Sequence, residues 1–228
     1  SCIIRVPTGA YGSGGPYHSS SVESILTNIH GIKIAYPSNA ADLKGIIKAA
    51  YYDPNPVIIL EHKGLYWGKL KGTEDTKSIE PSKEYILPLG KATSILEASN
   101  ENVEIGKSLC IVTYGMGVYW AKQAAEKYQN QIEIIDLRTL YPIDEEYIYE
   151  KVKKHNKCIV VSEEPSQNSF AQSLAAKISQ NCFNYLDSAI RVIGSENLPA
   201  IPLNSKLEEK MLPNAKKVKQ EIDKILNS

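Results

Sequence analysis

Apolar segments of strand length alternate along the chain with segments in which apolar residues recur every three or four positions. Val57–Glu61 and Leu109–Thr113 are the clearest apolar runs, and both are predicted to be strands. The first of them is apolar enough to be buried on both faces. The amphipathic segments between such runs are typical of helices that bury one face. This alternation predicts an α/β fold with a mostly parallel sheet and helices on both of its faces.

The first part of the chain combines short strands with two capped helices. Its strands are predicted at residues 2–6, 32–36 and 57–61. Ser20 and Glu23 have the spacing of a capping box, which predicts that a helix begins directly after them. Ser38 is predicted to cap a second helix. The strand–helix–strand order around that second helix favours a right-handed parallel unit.

The composition changes between residues 63 and 83, where Gly, Lys, Glu and Ser replace the periodic pattern. We therefore predict a partial first domain at residues 1–67, a linker at 68–84 and a second domain at 85–228. Residues 97–107 are predicted to form a polar loop. The strands of the second domain are predicted at 89–96, 109–113, 132–137, 158–162 and 190–193.

Charge and composition exclude several classes of partner. Lys and Arg together number 26, as do Asp and Glu, so no net charge favours nucleic acid or an anionic membrane. The apolar runs are too short to span a bilayer, and no signal-peptide pattern opens the chain. The four cysteines are scattered without a C-x-x-C pair, which favours a reducing compartment such as the cytoplasm.

The first candidate for chemistry is His18, which lies in the glycine- and proline-containing segment Gly14–Ser19. Histidine is the side chain whose ordinary pKa lies nearest neutrality, so His18 is predicted to transfer protons. The alternative is a loop histidine that only bonds to backbone. Chemistry alone does not choose between these two interpretations.

Other candidate motifs favour structural roles. Gly115 and Gly117 lie where a dinucleotide site would place its glycines, but Trp120 stands where the third glycine belongs, so we predict an ordinary strand-to-helix turn. Glu163 and Glu164 follow a strand, and neighbouring strand residues face opposite ways, which favours an interface or structural role over an acid/base pair.

A proline-rich turn is the one candidate for a cation. Free carbonyls at the end of a helix near Tyr51, together with Asp53 and Asn55, offer oxygen ligands of the type that hard cations prefer. The alternative is an ordinary turn closed by proline. No histidine or cysteine spacing predicts a zinc site.

A series of short motifs runs in order through the chain and carries a resemblance to a known family. The chain resembles the beta subunit of the thiamine-diphosphate-dependent 2-oxo acid dehydrogenases, the decarboxylating first component of multienzyme complexes. The motifs are Arg5-Val6-Pro7, Gly15-Pro16-Tyr17-His18-Ser19, Tyr36-Pro37-Ser38, Asp42-Leu43-Lys44-Gly45, Asn55 to Lys63, Leu65-Tyr66, Pro88 to Ala92, Val112 to Gly115, Ile135 to Leu140 with Pro142, and Leu212-Pro213.

The resemblance implies the fold and the limits of the chain. It implies the C-terminal part of a transketolase-type pyrimidine-binding domain, followed by a transketolase C-terminal-type domain. The part of the family that carries the cofactor-activating glutamate and the motif for Mg²⁺ and diphosphate is not found in these residues. We therefore expect that the chain is the C-terminal part of a beta subunit or of a fused alpha–beta enzyme. Alone, it is expected neither to hold thiamine diphosphate fully nor to turn over.

The resemblance also implies roles for particular residues. His18 matches the family's active-site histidine, while Tyr17 and Ser20 replace glutamines that are usual beside it. The implied reaction is oxidative decarboxylation of a 2-oxo acid with acyl transfer to a lipoyl group, in which His18 protonates either the substrate oxygen or the lipoyl sulfur. The residues that match a structural potassium site of the family are Ala50, Tyr51, Asp53 and Asn55.

Substrate and partners follow from the same resemblance. Glu61-His62-Lys63 with Leu65-Tyr66 is more similar to branched-chain (2-oxoisovalerate) and related bacterial enzymes than to eukaryotic pyruvate enzymes, which favours 2-oxoisovalerate as the substrate. The expected partners are an alpha subunit or an alpha half of a fused chain, a second beta copy and the lipoyl-bearing dihydrolipoyl acyltransferase, in the cytoplasm or, in a eukaryote, in the mitochondrial matrix or a plastid. Two alternatives stay open. One is a non-catalytic module for subunit assembly and acyltransferase docking, and the other is a different thiamine-diphosphate enzyme such as a transketolase.

Overall fold

The structure is a computed structural model that describes residues 2–10 and 12–227. The strands of these residues are β1 (Ile3–Thr8), β2 (Lys33–Ala35), β3 (Val57–His62), β4 (Thr93–Leu96), β5 (Leu109–Thr113), β6 (Ile132–Asp136), β7 (Thr139–Tyr141), β8 (Cys158–Pro165) and β9 (Arg191–Ser195). The α-helices are α1 (Glu23–Thr27), α2 (Ala40–Tyr52), α3 (Asn100–Glu104), α4 (Gly117–Ala125), α5 (Glu145–His155), α6 (Phe170–Cys182), α7 (Ser205–Met211) and α8 (Ala215–Leu226).

The described strands form two sheets, and both are mostly parallel. The first sheet has the order β1-β3-β2-β7, in which β1 and β2 run parallel to β3 and β7 is antiparallel to β2. The second sheet has the order β4-β6-β5-β8-β9, in which only the edge strand β4 is antiparallel to its neighbour. The α/β architecture expected from the alternating pattern is confirmed.

Strand β5 lies at the centre of the second sheet and buries both of its faces. Cys110 and Val112 belong to a core that includes side chains of α5 and α6, whereas Leu109 and Ile111 belong to a core that includes side chains of α4 and α8. Successive strand residues point to opposite faces, so each helical layer receives every second side chain. Full burial stabilises the fold by about 1.5–3 kcal/mol for each aliphatic side chain of this size.

The core between the two sheets is continuous. Ile34 of β2 and Leu60 of β3 lie in the same buried cluster as Val112 of β5 and Val160 of β8. The opposite face of the first sheet is covered by α2, whose Ile46 and Ala50 pack against β3, and by the chain segment at Leu87. The first sheet is therefore packed on both faces, and one of these faces joins the two halves of the chain.

Several elements differ from the sequence-based predictions. Helix α1 begins at Glu23 without a side-chain cap, and the predicted capping box is wrong because Ser20 donates instead to the carbonyl of Pro16 at 3.0 Å. Helix α2 is capped by Asn39, whose side chain accepts from the Asp42 amide. The predicted cap was Ser38, but its hydroxyl donates to the Asp136 carboxylate instead. Residues 97–107, predicted as a loop, contain the helix α3.

Two elements were not predicted from the sequence at all. They are the strand β7 (Thr139–Tyr141) and the helix α7 (Ser205–Met211). The most consequential of them is β7, because it lies in the chain between β6 and β8 of the second sheet but pairs with β2 of the first, with Ile34 opposite Tyr141. The predicted linker at 68–84 runs beside α2, where the Ser78 hydroxyl accepts from the Ala41 amide at 2.7 Å.

Candidate active site

His18 lies at the tip of the loop that leaves the C-terminal end of β1. We call residues 9–10 and 12–24 the His18 loop. Gly15 to His18 form a β-turn in which the His18 amide donates to the Gly15 carbonyl at 3.3 Å. Pro16 occupies the second turn position, which its fixed φ favours. His18 is exposed, and its ring has no hydrogen-bond partner among the described residues. The placement of the imidazole therefore depends on the backbone that carries it.

The base of the His18 loop is closed by hydrogen bonds between its two ends. The Thr8 hydroxyl donates to the Ser20 carbonyl at 3.0 Å, and the Gly9 amide approaches the same carbonyl at 3.5 Å. Gly9 has φ +84°, and a Cβ at that position would lie 2.2 Å from Cδ2 of His62. Only glycine fits this backbone conformation and this close approach to the ring.

Three glutamates of the second half of the chain accept hydrogen bonds from backbone amides of the His18 loop. Glu163 accepts from the Ala10 amide at 2.5 Å, and Glu164 accepts from the Ser24 amide at 2.7 Å. Glu208 accepts from the Ser13 amide at 3.3 Å. All three glutamates are buried. A loop that belongs to the first sheet is thus held at three points by carboxylates from the other half.

His62 links the end of β3 to this arrangement. Its Nδ1 accepts from the Gly64 amide at 3.1 Å, so the proton of the neutral ring lies on Nε2. Nε2 lies 2.7 Å from Glu163 and donates to it. Both partners are buried, with His62 2% and Glu163 6% exposed. A pair this buried is stable because the ring and the Ala10 amide together satisfy the carboxylate.

Glu23 lies fully buried near these carboxylates, and neither of its oxygens has a hydrogen-bond partner among the described residues. Burial raises the pKa of the Glu23 carboxyl well above its ordinary range, and the nearby Glu164 and Glu163 raise it further. The predicted role of Glu23 in a capping box is replaced by burial, which favours the protonated form of its carboxyl.

Two cavities border His62. One, of about 150 Å³, lies at the C-terminal ends of β2 and β3 and is lined by apolar and polar side chains that include Ser38, Leu65 and Tyr66. The other, of about 230 Å³, lies beside the His18 loop, with Ala10 and Glu208 among its lining residues. In open parallel sheets the C-terminal ends of the strands are the usual place for a ligand.

The potassium candidate lies at the opposite end of the same sheet. Ala50, Tyr51, Asp53 and Asn55 precede β3, whereas the His18 loop follows the C-terminal end of β1, which pairs with that of β3. Strands of six residues separate the two places by about 20 Å. The Asp53 carboxylate accepts from Lys33 Nζ at 2.5 Å and from the Asn55 amide at 2.9 Å. These contacts hold the pKa of Asp53 below its ordinary value, chiefly through Lys33.

Two further findings concern metal ions and membranes. No group of three or more His, Cys, Asp or Glu side chains within residues 2–10 and 12–227 is arranged to hold a metal ion. None of the helices in the described part of the chain combines the length and the apolar character needed to cross a bilayer.

Comparison with known proteins gives the family. The family described as "Transketolase, C-terminal domain" matches residues 98–218, which is more than half of the chain. The chain belongs to the transketolase family. A second description, "Transketolase, pyrimidine binding domain", matches residues 1–68 of this transketolase-family chain. The two-part fold that the sequence resemblance implied is confirmed.

The curated relatives of this transketolase-family chain carry the names expected from its motifs. It is 36% identical over 219 residues to "2-oxoisovalerate dehydrogenase subunit beta" of Bacillus subtilis, covering 95% of this chain and 62% of that protein. It is 35% identical over 221 residues to "Pyruvate dehydrogenase E1 component subunit beta" of Rhizobium meliloti, covering 95% of this chain and 44% of that protein. The resemblance to beta subunits is confirmed, and the chain spans less than two thirds of either relative.

A solved structure supports the fold independently. "Split gene transketolase, inactive beta4 tetramer" aligns with 99% of this transketolase-family chain and 66% of its own chain, with a TM-score of 0.70 and 19% identity. At this identity the similarity shows the fold alone.

The sequence makes His18 a candidate and favours an interface or structural role for Glu163 and Glu164, but it does not indicate which residues these side chains contact. His62 was noted only as part of a family motif, and Glu208 was not singled out. The signal available for His62 was its position at the end of a fully buried strand, where a polar side chain needs a partner. The partner, Glu163, is far away in sequence, so no local pattern indicates the pair.

Proposed function

We propose that this chain forms the histidine-bearing side of the active site in the first component of a 2-oxo acid dehydrogenase complex. That enzyme decarboxylates a 2-oxo acid and passes the acyl group to a lipoyl group. The observation that carries the proposal is the exposed His18 imidazole on a turn fixed at the C-terminal edge of the first sheet. A proton-transferring side chain at this edge suits a ligand held there by neighbouring subunits.

The cofactor proposed for the assembled enzyme is thiamine diphosphate with Mg²⁺. When bound, thiamine diphosphate supplies the carbanion that adds to the 2-oxo carbon and accepts the electrons left by carbon dioxide. The described residues fit the part of this site that faces the substrate, because His18 offers an exposed ring with no competing hydrogen bond. They offer no carboxylate group arranged for a metal ion. We therefore assign no residue of this chain to Mg²⁺ or to the diphosphate.

His18 is proposed to hold and donate a proton at one of its ring nitrogens. Two acceptors are consistent with its exposure: the oxygen of the 2-oxo group and a sulfur of the lipoyl ring. A protonated imidazole can serve either acceptor at neutral pH. The two roles differ in their consequences, because loss of the second leaves decarboxylation intact and stops acyl transfer.

The substrate proposed first is 2-oxoisovalerate, with pyruvate as the alternative. Two relatives named as 2-oxoisovalerate dehydrogenase beta subunits are each 36% identical to this chain, and one named for pyruvate is 35% identical. The difference is small, so the ranking rests mainly on the Glu61-His62-Lys63 motif. A comparison of kcat/KM for the two acids in one preparation tests it.

The partners proposed are an alpha subunit or the alpha half of a fused chain, a second beta copy and the dihydrolipoyl acyltransferase. Apolar side chains that are exposed in the isolated chain support a subunit interface, among them Ile25 at 66% and Ile29 at 48%. Ile25 lies in α1, and Ile29 lies in the turn that follows this helix. We also propose that the 228 residues alone do not turn over. The proposed compartment is the cytoplasm, or the mitochondrial matrix or a plastid in a eukaryote; two curated relatives carry mitochondrial names.

The potassium site is proposed at Ala50, Tyr51, Asp53 and Asn55. The Ala50 carbonyl and the Asp53 carboxylate lie at the end of α2, where a cation also meets the negative end of the helix dipole. Lys33 already contacts Asp53 and competes for it. Higher thermal stability of the assembled enzyme in potassium chloride than in sodium chloride, lost in Asp53→Ala, would support the site. Equal stability in both salts would exclude it.

The experiment that tests the proposed function uses the chain assembled with the remaining part of a beta subunit, as its relatives have it, and with an alpha component. Decarboxylation is followed with an artificial electron acceptor, and acyl transfer is followed with a lipoyl domain. His18→Ala is expected to lower at least one of the two activities by about 10²–10⁴-fold, the usual contribution of a general acid or base. Full retention of both activities would remove His18 from the mechanism. Turnover by the 228 residues alone would contradict the proposed incompleteness.

A non-catalytic role in assembly is the second candidate, favoured by the exposed Ile25 and Ile29. It predicts that the assembled enzyme loses its oligomeric state when Ile25 is changed to Glu, while His18→Ala changes neither activity. The catalytic proposal predicts the opposite result for His18→Ala. Size-exclusion chromatography with the two activity assays therefore distinguishes the candidates.

A further inference from the structure

We infer that Glu163 and Glu164 are positioning residues that set the conformation of the His18 loop from the second half of the chain. This inference rests on the proposed function of His18. The two carboxylates bind the two ends of the loop, at the amides of Ala10 and Ser24. His18 lies between these amides, so the carboxylates fix the span of chain that carries the imidazole.

Glu163 holds the first end of the loop together with His62. One carboxylate oxygen accepts from the Ala10 amide at 2.5 Å, and the other accepts from His62 Nε2 at 2.7 Å. His62 in turn lies against Gly9, where its ring leaves no room for a Cβ. The ring therefore fixes the carboxylate, and both groups contact consecutive residues at the root of the loop.

Glu164 holds the second end of the loop. Its Oε1 accepts from the Ser24 amide at 2.7 Å, and its Oε2 accepts from the Phe170 amide at 2.9 Å. Phe170 is the first residue of α6, so the carboxylate joins the first turn of α1 to the first turn of α6. Both amides belong to helix starts, where the backbone N–H groups have no partner within the helix.

The adjacency of the two glutamates explains how one strand reaches both ends of the loop. Both lie in β8 (Cys158–Pro165), and successive side chains of a strand point to opposite faces. This alternation made them a poor acid/base pair from the sequence. The same alternation lets them bind two separate pieces of backbone, and a carboxylate is the side chain that accepts at two oxygens at once.

The other contacts between the two halves indicate that Glu163 and Glu164 position the loop and do not only stabilise the fold. The Ser38–Asp136 hydrogen bond and the Arg138–Asp42 ion pair also connect them, but neither involves a residue of the loop. The His18 ring has no hydrogen bond of its own among the described residues. A displacement of about 1 Å at a catalytic group is enough to lower a rate by about 100-fold.

The first experiment measures amide hydrogen exchange in the 228-residue chain and needs no activity. Glu163→Ala is expected to speed exchange at the Ala10 amide by about tenfold or more while leaving Ser24 unchanged, because each lost bond opens one end of the loop. Glu164→Ala is expected to speed exchange at Ser24 and leave Ala10 unchanged. Glu163→Gln keeps one acceptor and serves as the milder variant if Glu163→Ala does not fold.

The second experiment measures both activities of the assembled enzyme. Glu163→Gln and Glu164→Gln are expected to lower kcat by about 10–100-fold with little change in KM, with the larger effect in the corresponding Ala variants. The matched control is Asp42→Asn, which breaks an ion pair between the same two halves away from the loop. This variant is expected to change neither exchange at Ala10 and Ser24 nor kcat.

The outcomes separate this inference from the proposed function. Unchanged exchange at Ala10 and Ser24 in the Ala variants would overturn the inference. An unchanged kcat in the Gln and Ala variants, in an enzyme that His18→Ala inactivates, would overturn it as well. An enzyme that stays fully active as His18→Ala would overturn the proposed function and the catalytic consequence together, whereas the exchange rates still decide whether the glutamates hold the loop.

Discussion

The Ser38 hydroxyl donates a hydrogen bond of 2.5 Å to the Asp136 carboxylate and thereby joins the first sheet to the second. Ser38 follows β2, and Asp136 is the last residue of β6. Next to this bond, Arg138 forms two hydrogen bonds to the Asp42 carboxylate of α2, at 2.8 and 3.2 Å. The junction between the halves thus contains two buried carboxylates, Asp42 and Asp136.

Asp136→Asn is expected to remove a pH dependence of stability between about pH 4 and pH 6. Burial raises the pKa of Asp136 to about 6, and the Ser38 and Arg138 hydrogen bonds counter that rise only partly. A folded-state pKa above the unfolded value means that the stabilisation is complete below about pH 4 and is lost as the pH rises to about 6. The loss amounts to about 3 kcal/mol.

Urea unfolding of the wild type and of Asp136→Asn at several pH values across this window checks the prediction. The free energies of the two proteins should converge at pH 4, and the variant should be the more stable one at pH 7. Parallel pH curves would contradict it.

Glu23→Gln is expected to stabilise the chain at neutral pH and to change little at acidic pH. The pKa of Glu23 is raised by burial first and then by the nearby carboxylates, so the folded state either keeps a proton or buries a charge as the pH rises. Its contribution is therefore present below the ordinary pKa of about 4.3 and declines above it. Gln keeps the shape without the ionisation.

Thermal unfolding at pH 4 and pH 8 measures this difference. The exposed Glu101 provides a control, since Glu101→Gln should change the thermal stability by the same amount at pH 4 and at pH 8. A Glu23→Gln variant that is less stable at pH 8 than the wild type would show that the carboxylate form is the one the fold uses.

Glu133→Gln is expected to lower the free energy of unfolding by about 3–5 kcal/mol, as is typical when one member of a buried ionic network is removed. Burial alone would raise the pKa of Glu133, but hydrogen bonds from His155, Lys151 and Ser94 outweigh it and hold the pKa below its ordinary value. A lowered pKa means that this stabilisation is present above about pH 4.3 and is lost as the pH falls below it.

Denaturation at pH 7 and at pH 3 tests the direction of the pH dependence as well as the size of the destabilisation. The difference between wild type and Glu133→Gln should be large at pH 7 and smaller at pH 3. Glu126→Gln, at an exposed position of the same half, should behave like the wild type at both pH values. A variant as stable as the wild type at pH 7 would contradict the prediction.

Gly9→Ala is expected to disturb the His18 loop far more than Gly12→Ala. Both glycines have positive φ, +84° and +77°, so the backbone strain is similar. They differ in the room available for a side chain. A Cβ at Gly9 would lie 2.2 Å from the His62 ring, while a Cβ at Gly12 would meet nothing within 4 Å. Strain alone costs about 1–3 kcal/mol.

Exchange at the Ala10 amide separates the two effects. It should rise strongly in Gly9→Ala, since the His62–Glu163 pair must move, and only slightly in Gly12→Ala. Equal effects in the two variants would show that backbone strain, and not the contact with His62, determines the behaviour of the loop.

The sequence predicts well those parts of the fold that depend on local burial. Strand β5 was predicted at its observed bounds, and β3 within one residue, because a strand that is buried on both faces is a continuous apolar run. The cap of α8 is another local feature, because Asn214 immediately precedes the helix and accepts from the Lys217 amide at 3.0 Å. In these cases the local pattern and the tertiary structure favour the same conformation.

The predictions fail where distant residues determine the structure. The Ser20–Glu23 spacing is correct for a capping box, but the chain buries Glu23 beside Glu164 instead. Strand β7 has three residues, and it is defined by pairing with β2, far away in sequence. The candidate site divides in the same way. His18 is a candidate because of its motif, whereas the residues that hold its loop are brought together only by the packing of the two halves.

Strand β7 also limits how the chain can be divided. The family matches at 1–68 and 98–218 suggest two modules that could be exchanged between relatives. In the folded chain the first sheet is completed by Thr139–Tyr141, which belongs to the second match. A chimera joined between the two matches would combine the sheet of one parent with an edge strand from the other. Protein engineers who exchange the first domain should therefore transfer this strand with it.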